Sequence, residues 1–455
     1  MKRLLVISYH FPPDNAVGGL RLARFAKHLP KFGWAVSVLT VRDEHREASD
    51  AARLKDIEGV EIFKTAKTAG LRDIYIKLKA TLSGALSGKK ISVAELKDNY
   101  ALRPSANESC AKREGFGGTL KRVFISLILL PDEHRNWVLP TAFKAIKLLR
   151  QRRVDCVMTS SPPHSTHLVG LIVKKITRVR WVADFRDPWL EDVYTKPQAI
   201  RSGLSDSIER WMERMVVKNA DRVLATSMPL RGNMARRYPE KPDDFFVHLP
   251  NGIDTDKFRE LTGLPKYVLF TITYLGTIYQ TRNPVPVFKA ISELLIEGKL
   301  EAADIAVKLI GNCKYTDGRP TADVAREYGL ESVVEVCGFI PQMEALKVMR
   351  MSHLLLVLAT QQPLAIPAKV YDYIGSGTPI LALTEAGATA DVIHETWSGR
   401  SFLNDEIEAI KIYICDIIAA YKNGLPPVAK NAAKYDIVSL TGKLADSLDA
   451  PRSEA

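Results

Sequence analysis

A pair of glycines precedes the first predicted helix of the chain, at a position where a phosphate can bind. The segment from His10 to Gly19 connects a first apolar run to a helix that we expect to begin at Leu20. Gly18 and Gly19 let the backbone approach a ligand closely, and the free amides and positive dipole of the helix N-terminus favour an anion. The alternative is an ordinary loop, since the segment lacks the GxGxxG spacing of dinucleotide-binding proteins.

A second polar cluster follows the apolar run at residues 181–185. Asp184, Arg186, Asp187 and Trp189 stand together in the segment DFRDPW. Carboxylates that flank a guanidinium beside an indole ring suit the hydroxyl groups of a sugar and a phosphate-bearing acceptor. We therefore predict acceptor contacts for Asp184 and Trp189 and catalytic roles for Arg186 and Asp187. The alternative is an ion pair that only holds the loop.

Strands and helices must position these loops, and the first half of the chain supplies both. Short runs rich in β-branched residues and leucine are typical of buried parallel strands. Amphipathic helical patterns separate the runs, and this alternation predicts a parallel α/β sheet. The runs lie at residues 4–9, 35–41, 156–160, 181–185 and 222–227.

The pattern starts again after a turn cluster at Pro250, Asn251 and Gly252. The predicted fold class is therefore α/β, with two Rossmann-like doubly wound domains facing a central cleft and ligands bound beyond the carboxyl ends of the strands. The second set of apolar runs lies at residues 268–275, 306–310, 333–337, 354–359 and 379–383. The expected boundaries are 1–250 for the first domain, 251–265 for a hinge, 266–425 for the second domain and 426–455 for a C-terminal helical segment.

Composition narrows the class of protein. The 455 residues are 46% hydrophobic and 25% charged, values that exclude small disulfide scaffolds and disordered chains. Five cysteines without a CxxC pair argue against a disulfide framework or a zinc cluster and favour a reducing cytoplasm. We expect neither a signal peptide nor a membrane-spanning segment, because the apolar runs are short.

The net charge of +12 is unevenly distributed along the chain. Residues 1–250 carry 44 basic and 27 acidic residues, a balance of +17, whereas residues 251–455 carry 20 and 25. This asymmetry predicts that the first half meets an anionic partner such as phospholipid, a lipid diphosphate or nucleic acid.

Residues 64–122 interrupt the strand and helix rhythm with 13 basic and five acidic residues, and we interpret them as an insertion. Lys77, Lys79, Lys121 and Arg122 lie among apolar residues there, a pattern typical of a segment that contacts an anionic membrane surface. The alternative is a packed helix with a solvated basic face.

Six segments in order, spanning residue 4 to about residue 440 apart from the insertion, resemble retaining glycosyltransferases of family 4. The resemblance implies the GT-B architecture of two Rossmann-like domains, with a nucleotide-sugar donor bound mainly by the second and an acceptor mainly by the first. The segments are SYHFPPDNAVGGLRLARFAKHLPKFGWAVSVLT, SSPPHSTHLVG, VADFRDPW, PNGIDTDKF, YLGTIYQTRNP and IPAKVYDYIGSGTPILAL.

Carried over position by position, the resemblance assigns the cations of the donor site. Thr277 stands where the family usually has an arginine, whereas Arg282 fits the position of the lysine that follows. Lys369 opens a predicted helix and is expected to replace the missing cation. Either cation would neutralise the leaving nucleoside diphosphate. The alternative for Arg282 is a solvated loop charge.

The resemblance also places Gly18 and Gly19 at the donor diphosphate and Gly276 in the donor site. The family has two glutamates eight positions apart, and Asp372 fits the second, which contacts the ribose. The first position is Leu364, which cannot accept a hydrogen bond through its side chain. Gln361 and Gln362 are the nearby polar substitutes or, equally, plain loop residues.

A histidine near the donor sugar is a further implication of the resemblance. His164 and His167 follow the run at residues 156–160, and we name His164 as the catalytic candidate. The alternative is a loop histidine without a role. Asp254 and Asp256 form a DxD pattern, but they lie in the predicted hinge and not at a strand end, so no metal ion is expected. No cofactor is expected beyond the nucleotide-sugar substrate, for which a UDP-sugar is favoured.

The sequence thus predicts a glycosyltransferase of the hexosyltransferase type that acts with retention on a glycan or lipid-linked acceptor in cell-surface polysaccharide synthesis. It would be cytoplasmic and peripheral on the inner face of the cell membrane. One alternative is a sugar-nucleotide epimerase of the same fold, to which the basic insertion would be useless. Another is a non-catalytic nucleotide-sugar-binding subunit, which Leu364 and Thr277 would suit. Nucleic-acid binding is not expected, because no such motif is visible.

Overall fold

Two parallel sheets organise the protein, as seen in a computed structural model. The structure describes residues 1–14, 16, 18–46, 50, 53–54, 57–68, 130–191, 202–279 and 281–450. Within these residues, each apolar run predicted to be a strand forms one.

The first sheet has seven strands in the order β3-β2-β1-β4-β5-β6-β7, and its pairs are parallel. Every residue of the central strand β4 is buried, as expected for a strand covered by helices on both faces. The strands are β1 Lys2–Ile7, β2 Trp34–Val41, β3 Glu61–Thr65, β4 Cys156–Ser161, β5 Arg180–Phe185, β6 Arg222–Ala225 and β7 Phe246–His248. The accompanying helices are α1 Gly18–His28, α2 Val138–Gln151, α3 Ser165–Thr177, α4 Gly203–Asn219 and α5 Met228–Arg237.

The second sheet has six parallel strands in the order β12-β9-β8-β13-β14-β15. From β8 the chain adds β9 and β12 on one side of the sheet, and it then adds β13, β14 and β15 on the other side. Open α/β sheets bind ligands beyond the carboxyl ends of the strands at such a change of side, here between β8 and β13. The strands are β8 Phe270–Thr277, β9 Ile305–Asn312, β12 Val334–Cys337, β13 Leu354–Leu358, β14 Ile380–Leu383 and β15 Gly399–Phe402, with a small hairpin of β10 Tyr315–Thr316 and β11 Arg319–Pro320. The helices are α6 Thr255–Arg259, α7 Val285–Ile296, α8 Thr321–Glu327, α9 Gln342–Met351, α10 Lys369–Ser376, α11 Ala388–Glu395, α12 Ile407–Lys422 and α13 Ile437–Asp449.

The chain divides into two compact units that exchange segments. The first unit comprises Met1–Ala225, Met234–Leu249 and Thr441–Ala455, and the second comprises Thr226–Asn233 and Pro250–Leu440. The hydroxyl of Ser227 donates to the Leu364 carbonyl at 2.5 Å, within the second unit. Near the end of the chain, Arg180 donates to the Ser447 carbonyl at 3.2 Å, within the first unit. The observed division therefore places Thr226–Asn233 with the second unit and Thr441–Ala455 with the first.

Three described strands of the two parallel sheets have no counterpart among the predicted runs. All of them, β3, β7 and β15, lie at sheet edges. Strand β15 has the sequence GRSF with two exposed residues, and β7 is only three residues long. Edge strands are short and keep polar side chains, so they lack the continuous apolar run that marks a central parallel strand.

No helix within the described part of the chain is both long enough and apolar enough to cross a bilayer. The predicted membrane-contact residues Lys77, Lys79, Lys121 and Arg122 lie outside the described residues.

Candidate functional site

Lys369 is the centre of a polar site at the carboxyl end of β8. It is the first residue of α10, which is held in place by its buried residues Val370, Tyr373 and Ile374. The Lys369 ammonium donates to the Leu275 carbonyl at 2.9 Å and lies 3.6 Å from the centroid of the Tyr274 ring. Burial, with a smaller contribution from the charge of Arg282, holds the pKa of Lys369 well below its usual range.

Two glycines are required in the backbone near Lys369, one beside its ammonium and one beside the first glycine. A Cβ atom on Gly276 would lie 2.7 Å from the Lys369 ammonium nitrogen, and the φ of Gly276 is +155°. A Cβ atom on Gly311 would lie 2.3 Å from the Gly276 carbonyl oxygen, and the φ of Gly311 is +113°. Both positions therefore require glycine. Gly276 was predicted from the family motif, whereas the sequence alone carried no signal for Gly311.

Arg282 lies close enough to Lys369 for its charge to lower the pKa of that lysine. The Arg282 guanidinium lies over the Tyr279 ring at 4.6 Å, and its amide donates to the Tyr279 carbonyl at 3.0 Å. Burial raises the pKa of Tyr274 above its usual range, against an opposing effect of the Arg282 charge. A diphosphate beyond the end of β8 would meet both cations and the N-terminus of α10.

The loop before α10 contains Leu364, which stands at the position of the first family glutamate. The Leu364 carbonyl, not its side chain, takes part in a hydrogen bond, accepting from Ser227. Gln361 has a φ of +61°, and its amide donates to a carboxylate oxygen of Glu385 at 2.8 Å. Glu385 thus places a half-buried carboxylate at the carboxyl end of β14, beside the loop in which the family glutamate is missing. Sequence reasoning did not find it, because it lies far from Leu364 along the chain.

Asp372, the predicted ribose contact, lies one turn into α10 and is half-buried. It follows Lys369 by three residues, and residues with this spacing are neighbours on one helix face. Its charge adds to the burial that raises the pKa of Tyr373. Helix α10 therefore carries a cation and a carboxylate one turn apart.

In the first unit, the predicted phosphate-binding loop is tied to the loop after β5. Helix α1 begins at Gly18, two residues earlier than predicted. Arg186 donates through Nε to Ser161 at 2.9 Å and through its two Nη atoms to Pro162 and Gly18, in each case to the carbonyl oxygen. A Cβ atom on Gly18 would lie 2.4 Å from Nη1 of Arg186. Gly18 is thus required for this contact, and these bonds make Arg186 a positioning residue where we had predicted a catalytic one.

Asp184 is part of a buried ion pair and not of an accessible acceptor surface. Its two carboxylate oxygens accept from Nη2 and Nε of Arg21 at 3.1 and 3.3 Å. The hydroxyl of Ser160 also donates to Asp184, at 2.8 Å, and Arg21 reaches the Leu249 carbonyl at 2.7 Å. Asp184 is 0% exposed, so the acceptor contact predicted for it is replaced by the alternative of an ion pair that holds the loop.

Trp189 and His164 are core residues as well, each 1% exposed. Their rings stack at 5.1 Å with an interplanar angle of 10°. The indole therefore packs inside the loop, which leaves it almost no exposed surface for the predicted acceptor contact, and the imidazole of His164 is buried against it. Asp187 is half-buried beside Arg186 and keeps its place as a candidate at the loop surface.

A histidine and carboxylate pair that the sequence reasoning missed lies in the loop after β1. Nδ1 of His10 lies 2.7 Å from a carboxylate oxygen of Asp14, whose other oxygen accepts from the amide of Ala16 at 2.9 Å. These bonds lower the pKa of Asp14 despite the opposing effect of burial. A carboxylate on Nδ1 orients the imidazole and leaves Nε2 for a substrate hydroxyl. The i and i+4 spacing in HFPPD was the available signal.

A second histidine, His134, lies at the same edge of the first sheet. His134 stacks on the Tyr9 ring at 4.1 Å, and its Nδ1 lies 3.0 Å from the ammonium of Lys67. Burial lowers the pKa of His134 from 6.5 to about 4. His134 is therefore neutral in the folded protein and accepts a hydrogen bond from Lys67.

The DxD residues have local structural partners. Asp254 caps α6 by accepting from the Lys257 amide at 3.5 Å, and Asp256 pairs with Arg259 at 2.9 Å. In the part of the chain that is described, no group of three or more histidine, cysteine, aspartate or glutamate side chains is arranged to hold a metal ion.

Comparisons with known proteins agree with the resemblance drawn from the motifs. The sequence profile described as Glycosyltransferase Family 4 matches residues 101–257. A D-inositol 3-phosphate glycosyltransferase from Corynebacterium kroppenstedtii is 24% identical over 203 residues, which cover 42% of this chain and 44% of that protein. The match thus spans less than half of the curated relative's length. The resemblance to glycosyltransferase family 4 is therefore confirmed.

Solved structures share the fold over nearly the whole chain. The Anabaena protein HepE in complex with UDP-glucose has a TM-score of 0.60 at 14% identity, covering 98% of this chain and 99% of that one. Sucrose-phosphate synthase from Thermosynechococcus elongatus has a TM-score of 0.58 at 15% identity, covering 98% and 95%. At these identities the likeness establishes the fold, and it confirms the predicted class of two Rossmann-like α/β domains of the GT-B type.

Proposed function

We propose that this chain, with its GT-B fold and its likeness to glycosyltransferase family 4, transfers a sugar from a nucleotide-sugar donor to a glycan or lipid-linked acceptor. The observation that carries the proposal is the environment of Lys369. This cation is partly buried at a helix N-terminus, and it forms no ion pair with a described acidic residue. A partly desolvated cation without a carboxylate partner is costly in the free protein, and an anionic ligand relieves that cost.

The geometry around Lys369 suits the leaving group of glycosyl transfer. When the bond between the anomeric carbon and the diphosphate oxygen breaks, negative charge develops on the nucleoside diphosphate. Lys369, Arg282 and the amides at the start of α10 are preorganised to stabilise that charge. Retention of configuration, which the motif resemblance implies, requires the acceptor hydroxyl to reach the anomeric carbon from the side of the leaving group.

A UDP-sugar is the donor we propose. The similar Anabaena structures hold UDP, UDP with glucose, or UDP-glucose. Asp372 is the residue proposed for the ribose hydroxyls, since a half-buried carboxylate three residues from Lys369 meets the sugar when the diphosphate meets the lysine. Glu385 is the residue proposed to replace the missing family glutamate near the donor sugar.

The acceptor is proposed to bind at the carboxyl edge of the first sheet. His10 and Asp14 offer an oriented imidazole there, and Asp187 lies in the neighbouring loop after β5. The curated relative is named for transfer to a phosphorylated inositol. The excess of basic residues in the first half of this chain supports an acceptor that carries phosphate, as a free sugar phosphate or as a lipid-linked glycan of cell-surface polysaccharide synthesis.

A panel of UDP-, GDP- and ADP-sugars in thermal-shift assays tests the donor. A true donor raises the melting temperature by mass action, so UDP-sugars are expected to stabilise the protein most. Lys369→Met is expected to abolish that shift, and Lys289→Met, which changes an exposed lysine of α7, is the matched control. Stabilisation by no nucleotide sugar would overturn the proposal. Donor binding without transfer to any acceptor would favour the non-catalytic subunit, and an epimerised nucleotide sugar would favour the epimerase.

A further inference from the structure

Helices α2, α3 and α4 form one layer on a single face of the first sheet. Helix α2 packs against α3, and α3 packs against α4. These helices lead into β4, β5 and β6, whereas α1 leads in the opposite direction, from β1 to β2. Because such crossovers are right-handed, α1 lies on the other face. The outer surface of α2, α3 and α4, which we term the docking face, is therefore a continuous surface of the first unit.

The docking face exposes large apolar side chains. Phe143 is 73% exposed and Trp211 is 60% exposed. Several large exposed apolar side chains on three adjacent helices are more typical of a surface that meets a partner than of one that meets only water. The complete set is Leu139 61% and Phe143 on α2, Ile176 56% on α3, and Leu204 53% and Trp211 on α4.

The fully exposed charges of the docking face all have one sign. Of the three acidic residues of α4, Glu209 and Glu213 are each 1% exposed, and Asp206 in the first turn is half-buried. Helices α2 and α3 contain no acidic residue, and no acidic side chain of the three helices is exposed. The exposed cations form no ion pair with a described acidic residue, and they are Lys147 and Arg150 on α2, Lys175 on α3, and Arg210, Arg214 and Lys218 on α4.

The exposed apolar residues and the exposed cations occupy different positions along the helices. Leu139 and Phe143 occupy the first two turns of α2, and Leu204 the first turn of α4. Helices in this layer start at the carboxyl edge of the sheet, so Leu139, Phe143 and Leu204 lie nearest the loops of the candidate acceptor site. Ile176 lies in the last turn of α3, and Trp211 lies in the middle of α4. On α4, Arg210, Arg214 and Lys218 follow one another at four-residue spacing and form a basic stripe beside Trp211.

We infer that the docking face binds an anionic membrane surface. Arginine and lysine are attracted to acidic headgroups, while tryptophan, phenylalanine and leucine insert to a shallow depth among them. Charge complementarity favours this partner over a neutral bilayer. The apolar side chains favour it over nucleic acid, whose phosphates would be met by the cations alone. Membrane binding requires neither donor nor acceptor, so the inference can hold without the proposed function. The proposed function only supplies the reason why the protein would bind a membrane.

Vesicle cosedimentation of the full chain tests the inference. Vesicles of phosphatidylcholine with phosphatidylglycerol are expected to bind the protein, and vesicles of phosphatidylcholine alone are not. Replacing Arg210 and Arg214 by glutamate should weaken the partition coefficient by about tenfold or more, since each basic residue near the surface contributes to binding. Trp211→Ala should weaken binding as well, and it should leave the dependence on salt unchanged.

A matched pair on the other face of the same sheet is the control. Lys27 and Lys31 are exposed on α1 and the turn after it, and their replacement by glutamate makes the same change in net charge. This control is expected to bind within about twofold of the wild-type protein, because its cations face away from the docked membrane. Melting temperature and UDP binding, measured for each variant, separate loss of docking from loss of fold and from failure of the proposed donor site.

Three results would overturn the inference. Equal binding to both kinds of vesicle, or binding to neither, would remove the anionic membrane as partner. Equal losses in the docking-face and α1 variants would assign the attraction to net charge alone. Tighter binding to duplex DNA than to anionic vesicles, lost with Arg210 and Arg214, would assign the face to nucleic acid.

Discussion

The ammonium of Lys369 lies 3.6 Å from the centre of the Tyr274 ring and donates to the carbonyl of Leu275. Both partners are neutral. The aromatic ring and the carbonyl stabilise a cation less well than a carboxylate does, so the side chain is held in position while its charge is left for a ligand. This relationship between residues in β8 and α10 leads to the first prediction.

Binding of UDP is expected to be accompanied by net uptake of a proton at Lys369. Burial holds the pKa of free Lys369 well below 10.5, and a bound diphosphate raises it, so between the two values the complex holds more protons than the free protein. Donor affinity should accordingly fall as pH rises from the pKa of Lys369 in the free protein to its pKa in the complex. Calorimetry at about pH 8, where the terminal phosphate is already ionised, in buffers of different ionisation enthalpy measures the uptake. Uptake that persists in Lys369→Arg, whose guanidinium stays protonated over this pH range, would assign the proton to another group.

Gly276→Ala is expected to reduce donor affinity by about tenfold or more while the fold persists. The new methyl group would lie 2.7 Å from the Lys369 ammonium nitrogen, and the φ of +155° disfavours a residue with a side chain. Titration with UDP measures the loss. Gly338→Ala is the matched control, because no atom lies within 4 Å of its added Cβ. Equal affinities of the two variants would show that Lys369 does not need this space.

Arg21→Met should destabilise the protein by about 3–5 kcal/mol, because it leaves the buried Asp184 carboxylate without its ion-pair partner. The double variant Arg21→Met/Asp184→Leu should recover much of the lost free energy of unfolding, since it removes both charges. Denaturant unfolding measures both effects. If Asp184→Asn instead kept full stability and raised the KM for the acceptor, the structural role assigned to Asp184 would be wrong.

Acidification is expected to destabilise the first unit through His134. Its pKa is about 4 in the folded protein and 6.5 otherwise, so between these values the unfolded chain binds a proton that the folded protein does not. The free energy of unfolding should therefore fall by up to about 3 kcal/mol as pH drops from about 6.5 to 4. Melting temperatures of His134→Gln across this range should fall less steeply. The exposed His394→Gln is the control and should follow the wild-type profile.

The sequence was informative wherever the relevant signal was a continuous pattern. Central strands such as β4 and β13 read as apolar runs because both of their faces are buried. The edge strand β15 was missed because its residues are largely exposed. The start of α10 at Lys369 was also predictable, since the motif placed this lysine where the chain turns into a helix.

Side-chain burial was the part that the sequence could not supply. The residues of DFRDPW have the types expected of a sugar-binding loop. In the structure, however, Asp184 and Trp189 face the core, and Arg186 donates its hydrogen bonds to backbone carbonyls. Which face of a loop a side chain occupies depends on partners far away in the chain, such as Arg21 for Asp184. Glu385 could not be predicted for the same reason, because its position beside Gln361 is set by the pairing of β13 with β14.

The exchange of segments between the two units restricts how this protein can be recombined with its relatives. A chimaeric protein joined once near residue 250 would take Thr226–Asn233 from one parent and the rest of its unit from the other, so the bond from Ser227 to the Leu364 carbonyl would join unmatched surfaces. The same joint would separate Thr441–Ala455 from the first unit, in which Arg180 holds the Ser447 carbonyl. Exchange of donor specificity between relatives would therefore have to carry both short segments with their own units.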